Sequence, residues 1–187
     1  MPIKLRHGFK TEAETHAVEL RREMDIAPDG FLCPWALAEH LDIKTCALSK
    51  YRHLEPQAID YLLKLAAAGF SAVTLFSGRH GRKRVILFND GNAKTRQAAD
   101  LAHEISHAVL GHSPNLMFED DPEAEEEAKW MGPCLLIPKP VALRIVRSGK
   151  SEPVAAIEFG VSPQLLRMRL NASGARIIQA RRSCRSG

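Results

Sequence analysis

Leu101-Ala102-His103-Glu104-Ile105-Ser106-His107-Ala108-Val109-Leu110 decides how the whole chain is read. Leu101, Ile105, Ala108 and Val109 recur at helical spacing, so residues 98–110 are expected to form one helix with an apolar stripe. His103 and His107 lie four residues apart, about one turn, which stacks their side chains on one face with Cβ atoms roughly 5–6 Å apart. Two imidazoles at that separation can share one metal ion. Glu104 sits beside them, free to handle a proton. H-E-x-x-H on a helix therefore points to metal-assisted hydrolysis of an amide, in which a divalent ion acidifies water and the carboxylate takes the proton. With eight histidines and fourteen glutamates in 187 residues, chance placement yields the pattern in roughly one such chain in forty. The helical context and an acidic segment downstream favour the metal site.

A hydrolytic zinc site typically takes three protein ligands and keeps a fourth position for water. A third histidine ten residues after the first would complete one known set, but position 113 is Ser and His112 falls one residue early. His112 follows Gly111, where the helix is expected to end, and reads as a helix cap or a group behind the ligands. The other source is the run Glu123, Glu125, Glu126 and Glu127. Glu127 lies four residues before Met131 and eight before Leu135, so it shares the face that packs inward, and a carboxylate there needs a partner. Glu127 is the expected third ligand, with Glu123 and Glu125 as alternatives. Tyr51, His112 and Arg96 are conceivable donors to a developing oxyanion, and none is singled out. Asp100 is placed to orient His103 from one turn earlier or simply to be solvated, while Cys134 reads as a small packed hydrophobe.

Away from the motif, 187 residues with 45% hydrophobic content suit a compact domain with a small appendage. The four cysteines, Cys33, Cys46, Cys134 and Cys184, form no C-x-x-C pair, and no long apolar run or charged-then-apolar leader is present. These features predict a soluble, cytoplasmic protein with reduced thiols and no membrane partner. The net charge of +4 is mild but unevenly spread: seven acids fall within residues 119–127, whereas residues 161–187 hold six arginines and no acid.

Thr11-Glu12-Ala13-Glu14 is a capping-box pattern, and Ala13, Ala17, Leu20 and Met24 share a face, which predicts a helix over residues 12–25. Pro34 with Trp35, Leu37, Ala38 and Leu41 predicts a short second helix. A strand is expected over 43–48, a third helix over 57–68 closed by Gly69, and a hairpin from 71–76 and 85–88 with a basic, solvated loop. A helix beginning near Asp121-Pro122 is expected to break at Gly132-Pro133, and another to run from Lys139-Pro140 to Gly149. Residues 153–159, 160–162 and 163–170 have helix-turn-helix spacing, with Ser162 as cap and Pro163 in the first turn. Arg167, Arg169, Arg176, Arg181, Arg182 and Arg185 could supply phosphate contacts to DNA. The favoured reading is a supporting helical bundle, because Leu165, Leu166, Met168 and Leu170 leave few polar positions for base readout. The residues divide into a unit over 1–138 and a basic C-terminal helical segment over 139–187.

Several segments together resemble the ImmA/IrrE-type metallopeptidases: Pro34-Trp35-Ala36-Leu37-Ala38, Leu101 to His107, Glu127-Ala128-Lys129-Trp130-Met131, and Leu135-Leu136-Ile137-Pro138. Members usually show Glu-Ala-Asn-x-Phe-Ala before Leu-Leu-x-Pro; here Lys129 stands at the Asn, Met131 at the Phe and Gly132 at the final Ala. The resemblance implies a regulatory endopeptidase that cleaves a helix-turn-helix repressor, of the XRE type, in response to stress or induction of a mobile element. It places the C-terminal segment in recognition of that repressor. An edge of the hairpin, residues 85–89, offers a route for pairing with an extended substrate, although Asn89 reads more simply as the start of a turn.

The expected architecture is α+β and mostly helical, a gluzincin-like minimal peptidase core with a small antiparallel sheet and a helix-turn-helix-like C-terminal unit. The expected chemistry has His103, His107 and Glu127 holding Zn2+, with Mn2+ as a possible substitute, and Glu104 as the general base. The competing reading is a DNA-associated regulator or toxin–antitoxin component with a structural metal site. A structural site normally has four protein ligands, and only three strong candidates are present.

Overall fold

The computed structural model describes residues 5–64, 70–77, 83–112 and 121–184. Gly69, most of the basic hairpin loop, the first acids of the acidic run and Arg185 lie outside them. Nine α-helices and three strands occur among the described residues: α1 (Phe9–Glu23), α2 (Pro34–His40), β1 (Lys44–Ala47), α3 (Pro56–Lys64), β2 (Ala72–Ser77), β3 (Lys83–Phe88), α4 (Lys94–Val109), α5 (Pro122–Leu136), α6 (Lys139–Ser148), α7 (Glu152–Glu158), α8 (Pro163–Ala172) and α9 (Ala175–Ser183). The fold is α+β and mostly helical. No helix among the described residues is long and apolar enough to cross a membrane.

The sheet runs in the order β1-β3-β2 and is mixed. β2 and β3 form the expected antiparallel hairpin, with Thr74 opposite Ile86. β1 instead runs parallel to β3, pairing Lys44 with Val85 and Cys46 with Leu87, which corrects the all-antiparallel expectation. Parallel pairing needs a long crossover, and α3 with β2 supplies it. β3 is consequently the central strand and has no open edge, so residues 85–89 do not offer the pairing edge expected from sequence. Asn89 is buried and organises a turn: its Nδ2 donates to the carbonyls of Leu62 and Phe70, and its Oδ1 accepts from Gly91 N.

Two helix boundaries differ from the sequence reading for identifiable reasons. α1 begins at Phe9, three residues before the expected start at residue 12, because Phe9 is fully buried and draws an extra turn into the core. Glu14 is thereby freed from capping its own helix. Its Oε2 accepts from Lys139 N at the start of α6 and its Oε1 accepts from Arg169 Nη2, each at 2.6 Å. α5 passes through Pro133 without breaking. One missing backbone donor is offset by the burial of Met131, Cys134, Leu135 and Leu136 around it.

The main core gathers Phe9, Ala13, Ala17 and Leu20 of α1, Ile86 and Phe88 of β3, Leu101 and Ile105 of α4, and Met131 and Leu135 of α5. A second cluster joins Ala102 of α4 and Leu136 and Ile137 at the end of α5 to Val141, Ile145, Phe159, Leu166 and Leu170. Arg169 lies at the seam, 1% exposed, donating to the Ile137 carbonyl as well as to Glu14. Ser162 caps α8 as expected, its Oγ accepting from Leu165 N. This disposition removes Arg169 from any phosphate-binding surface, and Arg167 and Arg176 both pair with Glu152.

Candidate metal centre

α4 presents His103 and His107 on one face, with Leu101, Ala102 and Ile105 buried on the others. The two rings meet nearly edge to face, and their Nε2 atoms are 3.4 Å apart. The third group to join them is Glu125. Its Oε2 is 3.6 Å from His103 Nε2 and its Oε1 is 3.3 Å from His107 Nε2. One donor atom from each of His103, His107 and Glu125 lies within 4.8 Å of the others. A tetrahedral ion bound at about 2.0–2.1 Å holds its donors about 3.3–3.4 Å from one another, so the observed separations suit zinc. Converging ring nitrogens and a carboxylate also supply the donor types that zinc takes.

Glu127, the ligand expected from sequence, lies behind the pair. Its Oε1 accepts from Arg6 Nε at 2.7 Å, and its Oε2 is 3.4 Å from His112 Nε2. Met131 and Leu135 do pack inward as their spacing implied. The polar partner waiting at the head of that face is a guanidinium from the segment preceding α1. Glu125 belongs to a different stripe, Glu125-Ala128-Gly132, in which the side chains shrink to nothing where the helices meet. Ala128 is fully buried, and a Cβ added at Gly132 would come within 3.0 Å of His103 N and 3.1 Å of His103 Cα. That stripe lets α5 lie against the backbone of α4 and brings Glu125 over the imidazoles. Gly132→Ala is therefore expected to force the helices apart, lowering stability by about 1–3 kcal/mol, with a matching fall in Tm and weaker zinc retention. An unchanged melting curve would contradict the close approach.

Glu104 lies beside the two histidines, held from the sheet side. Thr74 Oγ1, on β2, donates to Glu104 Oε2 at 2.5 Å. Burial pushes the Glu104 carboxyl above the usual carboxylate range, and the Thr74 hydrogen bond and nearby His103 act against that rise. A carboxylate shifted towards neutrality is a better match for accepting and returning a proton. Burial, reinforced by His103, lowers His107 to about 4. Its ring is thus neutral at physiological pH, with a lone pair that could be donated to a metal ion.

The remaining candidates are engaged elsewhere. Asp100 pairs with Arg96, whose Nε is 3.4 Å from Asp100 Oδ2, and Arg96 Nη2 also donates to Ser71 Oγ. Tyr51 lies in the short 3-10 turn after β1, near Cys46. Cys134 is buried, its thiol pushed up to about 12 by burial, and its Sγ accepts from Arg169 Nη2. Glu123 lies in the first turn of α5, where Asp121 Oδ1 accepts from its backbone N. Thr74 and Arg6 were not identified from sequence. Thr74 is a polar residue flanked by Val73 and Leu75 inside a mostly apolar strand, a usable signal, whereas Arg6 is 121 residues from its carboxylate partner.

Residues 38–171 match the family described as the IrrE N-terminal-like domain, peptidase family M78. The chain belongs to that family. The matched region starts within α2, takes in the sheet, α4 and α5, and continues past Pro138 to the end of α8. No curated protein and no solved structure matches the chain. Family M78 membership makes this a peptidase fold, and the metal-suited cluster of His103, His107 and Glu125 lies inside the matched residues.

Proposed function

We propose that this M78 protein is a zinc-dependent endopeptidase whose substrate is a helix-turn-helix repressor of the XRE type, cleaved to induce a stress or mobile-element response. Manganese is an acceptable substitute for zinc in the same donor set. The observation that carries the chemistry is the meeting of His103, His107 and Glu125 beside a half-buried Glu104. His103, His107 and Glu125 would hold the ion, leaving room for water and substrate. When bound, the ion acidifies water and polarises the scissile carbonyl.

The rest is done by the chain's own side chains. Glu104 accepts a proton from the attacking water and returns it to the amine nitrogen as the peptide bond breaks. Thr74 holds one Glu104 oxygen, leaving the other to reach the reacting atoms. Among the described residues β2 pairs on one side only, so its outer edge can take an extended peptide as an added strand. Because Thr74 belongs to β2, a segment paired there would run past Glu104. The repressor assignment rests on the family resemblance.

The test is to incubate zinc-loaded protein, with Glu104→Gln alongside, with the repressor encoded nearest its gene. Cleavage by the unmodified protein alone is expected. Retardation of DNA with no cleavage would favour the DNA-associated regulator or toxin–antitoxin component instead.

A further inference from the structure

Behind the metal-suited cluster runs a continuous line of polar side chains that the hydrolytic chemistry does not use. His107 Nδ1 is 3.0 Å from His112 Nδ1. His112 Nε2 is 3.4 Å from Glu127 Oε2, and Glu127 Oε1 accepts from Arg6 Nε at 2.7 Å. Arg6 Nη2 donates in turn to Glu12 at 2.6 Å. His112 and Glu127 are largely withdrawn from solvent, with side-chain exposures of 14% and 15%. Gly111, at a φ of +71°, turns the chain back so that His112 N donates to the His107 carbonyl and its ring faces the His107 ring.

We propose that His112 and Glu127 are positioning residues that fix the tautomer of His107, with Arg6 anchoring the far end of the line. The proposal rests on reading His103, His107 and Glu125 as metal ligands. If His107 Nε2 is to offer a lone pair, its proton must be on Nδ1. That N–H then donates to His112 Nδ1, which leaves the His112 proton on Nε2, donating to Glu127. With the lone pair on His107 Nε2, each of the four nitrogens has one role. Both Glu127 oxygens are occupied, one by His112 and one by Arg6, which is why this carboxylate orients a ligand without being one. Groups that hold the second nitrogen of a ligating histidine raise metal affinity by fixing ring orientation and tautomer.

Two measurements test the relay. The first is zinc affinity, by competition with a chromophoric chelator. His112→Leu is expected to weaken zinc binding about 10–100-fold with little change in the Tm of the zinc-free protein. His112→Asn keeps a side-chain oxygen near the place of Nδ1 and is expected to recover most of the affinity. Arg6→Ala, at the exposed end, should have the smaller effect. The second is the ¹⁵N spectrum of histidine-labelled, zinc-free wild-type protein, in which His107 is expected to carry its proton on Nδ1. Unchanged zinc affinity in His112→Leu, equal losses in His112→Leu and His112→Asn, or an Nε2–H tautomer at His107 would each overturn the relay. Wild-type protein with the expected tautomer but no zinc affinity would instead sink the metal-site reading and leave the hydrogen-bonded line standing.

Discussion

Glu125→Ala is expected to lose zinc while Glu127→Ala keeps it. Structural zinc sites bind with about 10–16 kcal/mol spread over four ligands, so one ligand contributes about 3 kcal/mol, or roughly 10²–10³-fold in affinity. Glu125 is 46% exposed and makes no packing contribution comparable to Met131 or Leu135, so its removal should leave the fold intact and appear in metal content alone. Glu127→Ala removes the partner of Arg6 and His112 and should cost about tenfold in affinity, with a modest fall in Tm. Metal content by elemental analysis after dialysis separates the two. Retention by Glu125→Ala with loss from Glu127→Ala would restore the ligand set expected from sequence.

The second large effect is on turnover. Glu104→Gln should bind zinc as tightly as the unmodified protein, because Glu104 faces Thr74 and is not among the three converging donors. Its kcat should fall by about 10²–10⁴-fold, the usual contribution of a positioned proton acceptor, with KM little changed. A glutamine still accepts from Thr74 Oγ1, so local packing survives the substitution. Zinc loss in Glu104→Gln equal to that of His103→Ala would contradict the division between ligands and base.

Much of this was legible in the sequence where periodicity and chemistry coincided. α4 could be read because its apolar stripe and its H-E-x-x-H register agree, and α8 because Ser162 and Pro163 mark its start unambiguously. The third group at the histidines could not be read from the same rule. Apolar periodicity identifies which face of α5 enters the core, and Glu127 does lie at the head of that face. It says nothing about what waits there, and Arg6 is brought in by α1 from the far end of the chain. The stripe that does reach the histidines is marked by small residues, Ala128 and Gly132, and small side chains give no hydrophobic signal even though they set how closely two helices approach. The parallel pairing of β1 was hidden for a related reason. A four-residue strand carries no record of its partner, which is fixed by the path of α3 and β2 between them. The start of α1 was misplaced because the capping-box pattern is local, whereas the burial of Phe9 and the pairing of Glu14 with Arg169 are tertiary.

The central claim is that one ion is held by His103, His107 and Glu125. The most direct measurement is anomalous diffraction at the zinc edge from crystals of the zinc-loaded protein. A single peak is expected within about 2.0–2.2 Å of His103 Nε2, His107 Nε2 and a Glu125 carboxylate oxygen, with Glu127 still bonded to Arg6. A peak coordinated by Glu127 in place of Glu125, or zinc bound away from both histidines, would contradict it.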